Sequence, residues 1–297
     1  MKILIYFFLF LIVSSGYSQV SKDTSYTISS EYKKQLKKYP TIQVAQPKLN
    51  SSVLEQKDIV YQSVGARDLH LDSYIFKSNK KLPAIIMLHD GGWKSGDKSM
   101  FQPFAEAIAL KGYQCFAIEY RLSDEAKYPA GIEDVLKAIE YIKNNDEKFN
   151  VDAKKIAILG RSSGGQMASL IGTKFNADIK AIVNIDGVLA FHHPESTEGK
   201  YATLWLGGTY EEVPEIWNDA SALSHVTENT PPILFINSQH DRFHAGRNDM
   251  IEKLNKYKIY SKVEQILDSP HTFWLFHPWF EQTIQYTINF LDEKLKS

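Results

Sequence analysis

Cysteine is nearly absent: the 297 residues contain one, Cys115. That excludes an internal disulfide and a thiolate metal site. An excess of either charge is also missing. The 34 Lys+Arg against 35 Asp+Glu leave a formal net charge of −1, so no long-range field draws the chain to nucleic acid or to an anionic membrane. No apolar run approaches the roughly 18 residues needed to span a bilayer. G-x-G-x-x-G, P-loop and H-E-x-x-H patterns are all lacking, which removes the usual dinucleotide, phosphate-cradling and zinc-protease chemistries. There is no repeat, low-complexity tract or interdomain linker. A composition that is 43% hydrophobic and 12% aromatic is left to build one large core.

The first residues read separately from that core. Lys2 precedes an apolar run from Ile3 to Val13, and Gly16 and Ser18 supply a small-x-small cleavage pattern. Residues 1–18 are therefore expected to be a signal peptide and the protein to be exported, periplasmic or secreted. With no cysteine at the cleavage site, no lasting membrane anchor is expected. Residues 19–50 form a polar, Lys-rich extension in which a short surface helix closed by Pro40 is expected. Residues 51–297 form a single catalytic-sized domain.

Within it, strand-like runs occur at 53–62, 69–76, 84–89, 113–119, 156–160, 181–185, 233–238 and 262–267. Helical patterns alternate with them near 102–111, 130–145, 164–175, 245–257 and 279–294. The runs at 84–89 and 181–185 are almost wholly apolar, as strands buried on both faces must be. The expectation is an α/β fold: a mostly parallel eight-stranded sheet, led by two antiparallel strands and covered by helices on both faces. Residues 187–230 break this rhythm with glycines, prolines and aromatics. They are either a lid-like binding segment or a surface excursion whose aromatics pack on the body.

Gly160-Arg161-Ser162-Ser163-Gly164 joins a strand to a helix, the context of a nucleophile elbow. The glycines relieve a tight turn, and the helix N-terminus sets amide donors beside the Ser162 oxygen. A serine hydroxyl needs a base, and the base an orienting carboxylate. His271, after the last strand, is the candidate base. Asp241, three residues past the 233–238 strand, is the candidate acid, preferred to Asp249, which falls in a helix, and to Asp268, which is too close to His271 in sequence. The order Ser–Asp–His, each beyond its own strand, is that of the α/β-hydrolase fold. The amides of Gly91, Gly92 and Ser163 are expected to form an oxyanion hole. Trp93, Arg242, His244, Trp274 and His277 are candidate substrate contacts. Aromatics near His271 could stack on sugar rings and cations near Asp241 could hold a uronate, unless they merely pack the last helix onto the sheet. His240 and His244 stand four apart in a loop, which argues against a metal pair. No metal and no cofactor are expected.

Together, His89-Asp90-Gly91-Gly92-Trp93, Tyr120-Arg121-Leu122-Ser123, Tyr128-Pro129-Ala130-Gly131 with Glu133-Asp134-Val135, and Gly160 to Gly165 resemble the hormone-sensitive-lipase-like esterases. More narrowly they resemble bacterial carbohydrate esterases of the acetyl xylan and feruloyl type. The resemblance covers roughly residues 53–295. It implies a cofactor-independent serine esterase with Ser162 as nucleophile, Asp241 as acid and His271 as base. The implied substrate is a short ester, acetyl on a xylan-type polysaccharide first, a pectin or feruloyl ester second. A peptidase of the same fold and a non-catalytic glycan-binding relative are the competing expectations. The sequence departs from the family at Asp90, where glycine is usual, and at 187–230, which replaces a full cap domain. The second departure favours an open site.

Overall fold

The structure, a computed structural model, describes residues 23–48, 50–175, 177–197 and 199–296. The expected leader at 1–18 lies outside the described residues. The strands are β1 (Gln43–Val44), β2 (Val53–Val64), β3 (Arg67–Phe76), β4 (Leu82–Leu88), β5 (Gln114–Ile118), β6 (Val151–Arg161), β7 (Ile179–Ile185), β8 (Ile233–Asn237), β9 (Ser261–Gln265) and β10 (Phe276–His277). Eight of them form one sheet in the order β2-β3-β5-β4-β6-β7-β8-β9. β2 and β3 are an antiparallel hairpin, β3 runs antiparallel to β5, and the strands from β5 to β9 are parallel. This is the expected architecture, with element ends shifted by a few residues. Among the described residues no helix is long and apolar enough to cross a membrane.

The continuous apolar strands have a direct cause. Along β4, Ala84, Ile86 and Leu88 point to one face and Ile85 and Met87 to the other, and all five are fully buried. The first face is covered by the helices Ala130–Asn144 and Ser163–Leu170, through Ile132, Val135, Ile139 and Met167. The second is covered by Gln102–Ala109 and Trp279–Leu295, through Phe104, Ile108, Ile288 and Leu291. A strand with a cover on both sides has no position for a polar residue, so the two-residue alternation disappears.

The 187–230 segment is ordered by its aromatics. It holds the helices Gly199–Leu206 and Pro214–Asp219 and a 3-10 turn at Ala222–His225. Phe191, Trp205 and Trp217 are buried against the body, with Trp205 stacked on Trp93 at 5.2 Å. Tyr201, by contrast, is exposed.

The N-terminal extension also does more than cover a surface. Its helix, Ile28–Gln35, is closed at its start by a reciprocal cap between Thr27 and Ser30. It ends at Gln35, short of the expected stop at Pro40. Tyr32 packs on Phe276, Tyr39 lies edge-on to Trp279, and β1 pairs antiparallel with β10. The extension is thereby tied to the segment that follows His271.

Truncation of Ile158, fully buried in β6, is expected to cost about 2–5 kcal/mol as Ile158→Ala. Leu267→Ala, at a side chain 63% exposed, should cost less than about 0.5 kcal/mol. Urea unfolding of the two variants checks the placement of the core.

Candidate active site

β6 delivers Ser162 to the centre of the sheet edge in a backbone conformation that side-chain-bearing residues rarely adopt, φ 51° and ψ −122°. The strain is held by close packing. A Cβ on Gly160 would lie 1.9 Å from the Gly164 carbonyl oxygen, and one on Gly164 would lie 2.1 Å from that of Leu88. Only glycine lets strand and helix meet this tightly. The Ser162 N–H donates to the Ile185 carbonyl at 2.8 Å, fixing the elbow to the end of β7. Ser163 opens the helix that follows, where first-turn amides have no intrahelical acceptor.

His271 Nε2 lies 2.9 Å from Ser162 Oγ, and its Nδ1 lies 3.0 Å from a carboxylate oxygen. That carboxylate belongs to Asp186, not to Asp241. Asp186 has a fully buried side chain, and its second oxygen accepts the Ser238 N–H at 2.9 Å. With a carboxylate at Nδ1, the neutral imidazole keeps its proton there and offers Nε2 as the acceptor for the serine hydroxyl. Asp241 is 81% exposed, and the nearest ionisable partner of its carboxylate is His244 at 3.8 Å. The exchange has a geometric reason. β7 is the neighbour of β6, and the Asp186-Gly187 turn packs directly on the elbow: a Cβ on Gly187 would meet Gln166 N at 2.4 Å and Ser162 O at 2.7 Å. The loop after β8 instead reaches the cleft with other residues and leaves the Asp241 side chain in solvent, in the 3-10 turn Asp241–His244. Asp186 could have been found by the rule that singled out Asp241, a carboxylate just beyond an apolar strand. It falls between the strand read at 181–185 and the irregular stretch read from 187, so neither pattern takes it up.

Gly91 and Gly92 line the same cleft as Ser162. Both have positive φ, 124° and 63°, and a Cβ on Gly91 would lie 2.1 Å from the Ser95 carbonyl oxygen. Asp90, the departure from the family pattern, is buried, and three donors meet its carboxylate. Arg161 reaches it at 3.1 Å, the Trp274 indole N–H at 2.8 Å, and the Tyr26 hydroxyl bonds it as well. Asp90 and Arg161, one from each glycine motif, thus form a buried ion pair linking the glycine loop after β4 to the elbow. The Arg161 guanidinium also lies 3.8 Å from the Phe101 ring centre. Burial alone would raise the Asp90 pKa, but the Arg161 cation and the Tyr26 hydroxyl outweigh it and hold it below the ordinary carboxylate value.

The expected substrate contacts divide. Arg242 lines the cleft. Trp93 is buried and donates its indole N–H to Gln166 at 2.9 Å, so it belongs to the core. Trp274 is also buried, its ring edge-on to His271 at 5.0 Å, and it packs against that imidazole. His244 is buried, and burial followed by Arg247 lowers its pKa. His277 sits with Glu281 at 2.8 Å and does not line the cleft. Phe243, which the sequence did not single out, stacks on His271 at 3.4 Å. The cleft encloses about 720 Å³, and residues of the N-terminal extension, Tyr26 and Tyr39 among them, form one wall. Among the described residues no cluster of three or more His, Cys, Asp or Glu could hold a metal ion.

The BD-FAE family model matches residues 71–246. Esterase LipC of Mycobacterium tuberculosis is 29% identical over 182 residues, which are 54% of this chain and 45% of that protein. The chain therefore spans about half the length of that curated relative. The solved structure of a truncated carbohydrate esterase from gut microbiota superposes with a TM-score of 0.69 at 21% identity, over 84% of this chain and 99% of that one. An acetyl ester-xyloside bifunctional hydrolase from Caldicellulosiruptor lactoaceticus superposes with a TM-score of 0.67 at 20% identity, over 80% and 95%. The shared fold is the α/β-hydrolase fold.

Asp90→Asn leaves Arg161 buried without its counter-charge and is expected to cost about 3–5 kcal/mol. Because folding lowers the Asp90 pKa, its stabilisation is complete above the unfolded value of about 4 and fades as pH falls through the folded one. Urea midpoints measured from about pH 7 to about pH 3 should fall more steeply on the acid side for the wild type than for Asp90→Asn.

Proposed function

The chain belongs to the BD-FAE family of α/β-hydrolases, and from that premise we propose that it is a serine carboxylic ester hydrolase acting through Ser162, His271 and Asp186. The observation that carries this reading is the single imidazole within hydrogen-bond reach of both Ser162 and the buried Asp186 carboxylate. His271 Nε2 takes the hydroxyl proton as Ser162 Oγ attacks the ester carbonyl. The oxyanion is received by the amides of Gly91, Gly92 and Ser163, and Asp186 stabilises the imidazolium. His271 then returns the proton to the leaving alcohol, and an acyl-serine remains. Water, deprotonated by the same imidazole, cleaves it to free acid and restores Ser162. No metal or cofactor takes part in any of these steps.

The proposed substrate is a short acyl ester, acetyl first, on a xylan-type polysaccharide. Three observations support that choice. The named relatives include esterases and the superposed structures include carbohydrate esterases. The cleft is open, with the exposed Tyr201 and the Phe243 ring on its walls to meet a sugar. The leader-like run from Ile3 to Val13 fits export to where large glycans are met.

NMR of the small molecules released from acetylated xylan and from methylated pectin tests the substrate, with Ser162→Ala as the blank. Acetate is the expected product. Methanol instead would move the assignment to pectin, and glycan binding without turnover would make the protein a non-catalytic binder. Ser162→Ala should lower kcat by about 10⁶-fold. Asp186→Asn should lower it by about 10⁴-fold, since the imidazole then adopts the wrong tautomer. Asp241→Asn should stay within about twofold of wild type, as exposed substitutions do. Equal losses at Asp186 and Asp241 would overturn the assignment of the acid.

A further inference from the structure

The cleft around Ser162 carries a charge that the whole chain does not. Five cationic side chains line it, Lys34, Lys38, Lys94, Lys200 and Arg242, against two carboxylates, Asp23 and Glu31, in a protein of net charge −1. Both carboxylates are occupied. Glu31 pairs with Lys34 at 3.1 Å and Asp23 with Lys94 at 3.2 Å, and Lys94 also reaches Asp124 at 2.6 Å. Among the described residues Lys38, Lys200 and Arg242 have no carboxylate partner. They come from three separate segments: the N-terminal extension, the helix Gly199–Leu206 and the loop after β8. Their charges therefore converge because the fold brings them to one opening, not because they follow one another in sequence.

Arg242 is the best placed of the three. Its guanidinium lies 4.1 Å from the centre of the Phe243 ring, and that ring in turn stacks on His271 at 3.4 Å. The cation is held one ring away from the base. Among the described residues its one hydrogen-bond partner is Thr197 Oγ1, at a long 3.5 Å, and no described group occupies the rest of the planar fork, which can receive a carboxylate. Lys200 precedes Tyr201, whose ring is 48% exposed and lies against Gly92 in the oxyanion loop. A stacking surface and a cation thus flank the position of the ester carbonyl.

We propose that the ester is carried on an acidic saccharide, and that Arg242 with Lys200 and Lys38 binds a uronate carboxylate on or beside the esterified sugar. This rests on the esterase reading above and specifies its substrate class. A sugar carboxylate neighbouring an acylated hydroxyl enters the cleft together with the ester. Its attraction to three cations that have no carboxylate partner among the described residues adds binding that a neutral xylan cannot obtain.

The test compares kcat/KM for acetylated xylo-oligosaccharides bearing glucuronate branches with the same oligosaccharides after reduction of the carboxyl to the alcohol. Wild type should prefer the acidic form by about tenfold at low ionic strength, as expected for a few partly exposed ion pairs. The preference should collapse in about 0.5 M NaCl, where charges are screened within a few ångströms. The double variant Lys200→Gln/Arg242→Gln should lose most of the preference, with Lys38 the one cation of the three left. Because the readout is a ratio of two substrates on one preparation, a partly folded variant does not distort it. Equal wild-type rates on both forms would overturn the inference and leave the acetylesterase reading standing. An acidic preference that persists in the double variant would overturn the assignment to these cations. Silence on both glycans, with turnover of a synthetic short-chain ester, would overturn the saccharide reading and this inference with it.

Discussion

The buried pair of Asp90 and Arg161 is where the separate parts of the site are joined. Asp90 belongs to the glycine loop after β4, Arg161 to the end of β6, Trp274 to the segment after His271, and Tyr26 to the N-terminal extension. Each segment brings a different element of the proposed machinery. A buried ion pair is weak evidence for stability, because desolvation consumes much of the attraction. Its value lies in position: a carboxylate that satisfies three donors at once admits few alternative arrangements of the segments that supply them.

This explains why the family departure at Asp90 leaves the glycines beside it in place. Its carboxylate is held by a guanidinium, an indole and a phenol. The glycine loop itself is shaped by the close approach of Gly91 to the Ser95 carbonyl, which admits no side chain. Loop shape and loop anchorage therefore rest on different residues.

Most of the fold was legible in the sequence because its strands are apolar on both faces and its helices keep a 3.6-residue period. Such patterns depend only on which side of an element meets the core. The elbow was legible from its spacing at a strand-to-helix junction, although only Gly160 answers to a contact within the motif and Gly164 to the Leu88 carbonyl on β4. The acid was not. Choosing between Asp186 and Asp241 requires knowing that the Asp186-Gly187 turn packs on the elbow and that the Asp241 side chain points to solvent. Both are long-range facts. The aromatics failed in the same manner, since Trp93, Trp274 and Tyr201 look alike in one dimension, while two are buried donors and one is exposed. The Lys-rich extension read as a solvated face, and its aromatic residues at 26, 32 and 39 were the overlooked sign that it docks.

Placing the acid on β7 has an effect on the loop that follows β8. Where that loop supplies the carboxylate of a proton relay, its length and conformation are fixed by the imidazole. Here it is released from that duty, and His240, Arg242 and Phe243 all face the cleft. In the proposed mechanism, orientation of the imidazole and contact with substrate thereby fall to different strands. The two remain in contact where Phe243 stacks on His271 and the Ser238 N–H meets Asp186, so a change at Arg242 or His240 alters what the cleft meets while those contacts stay in place.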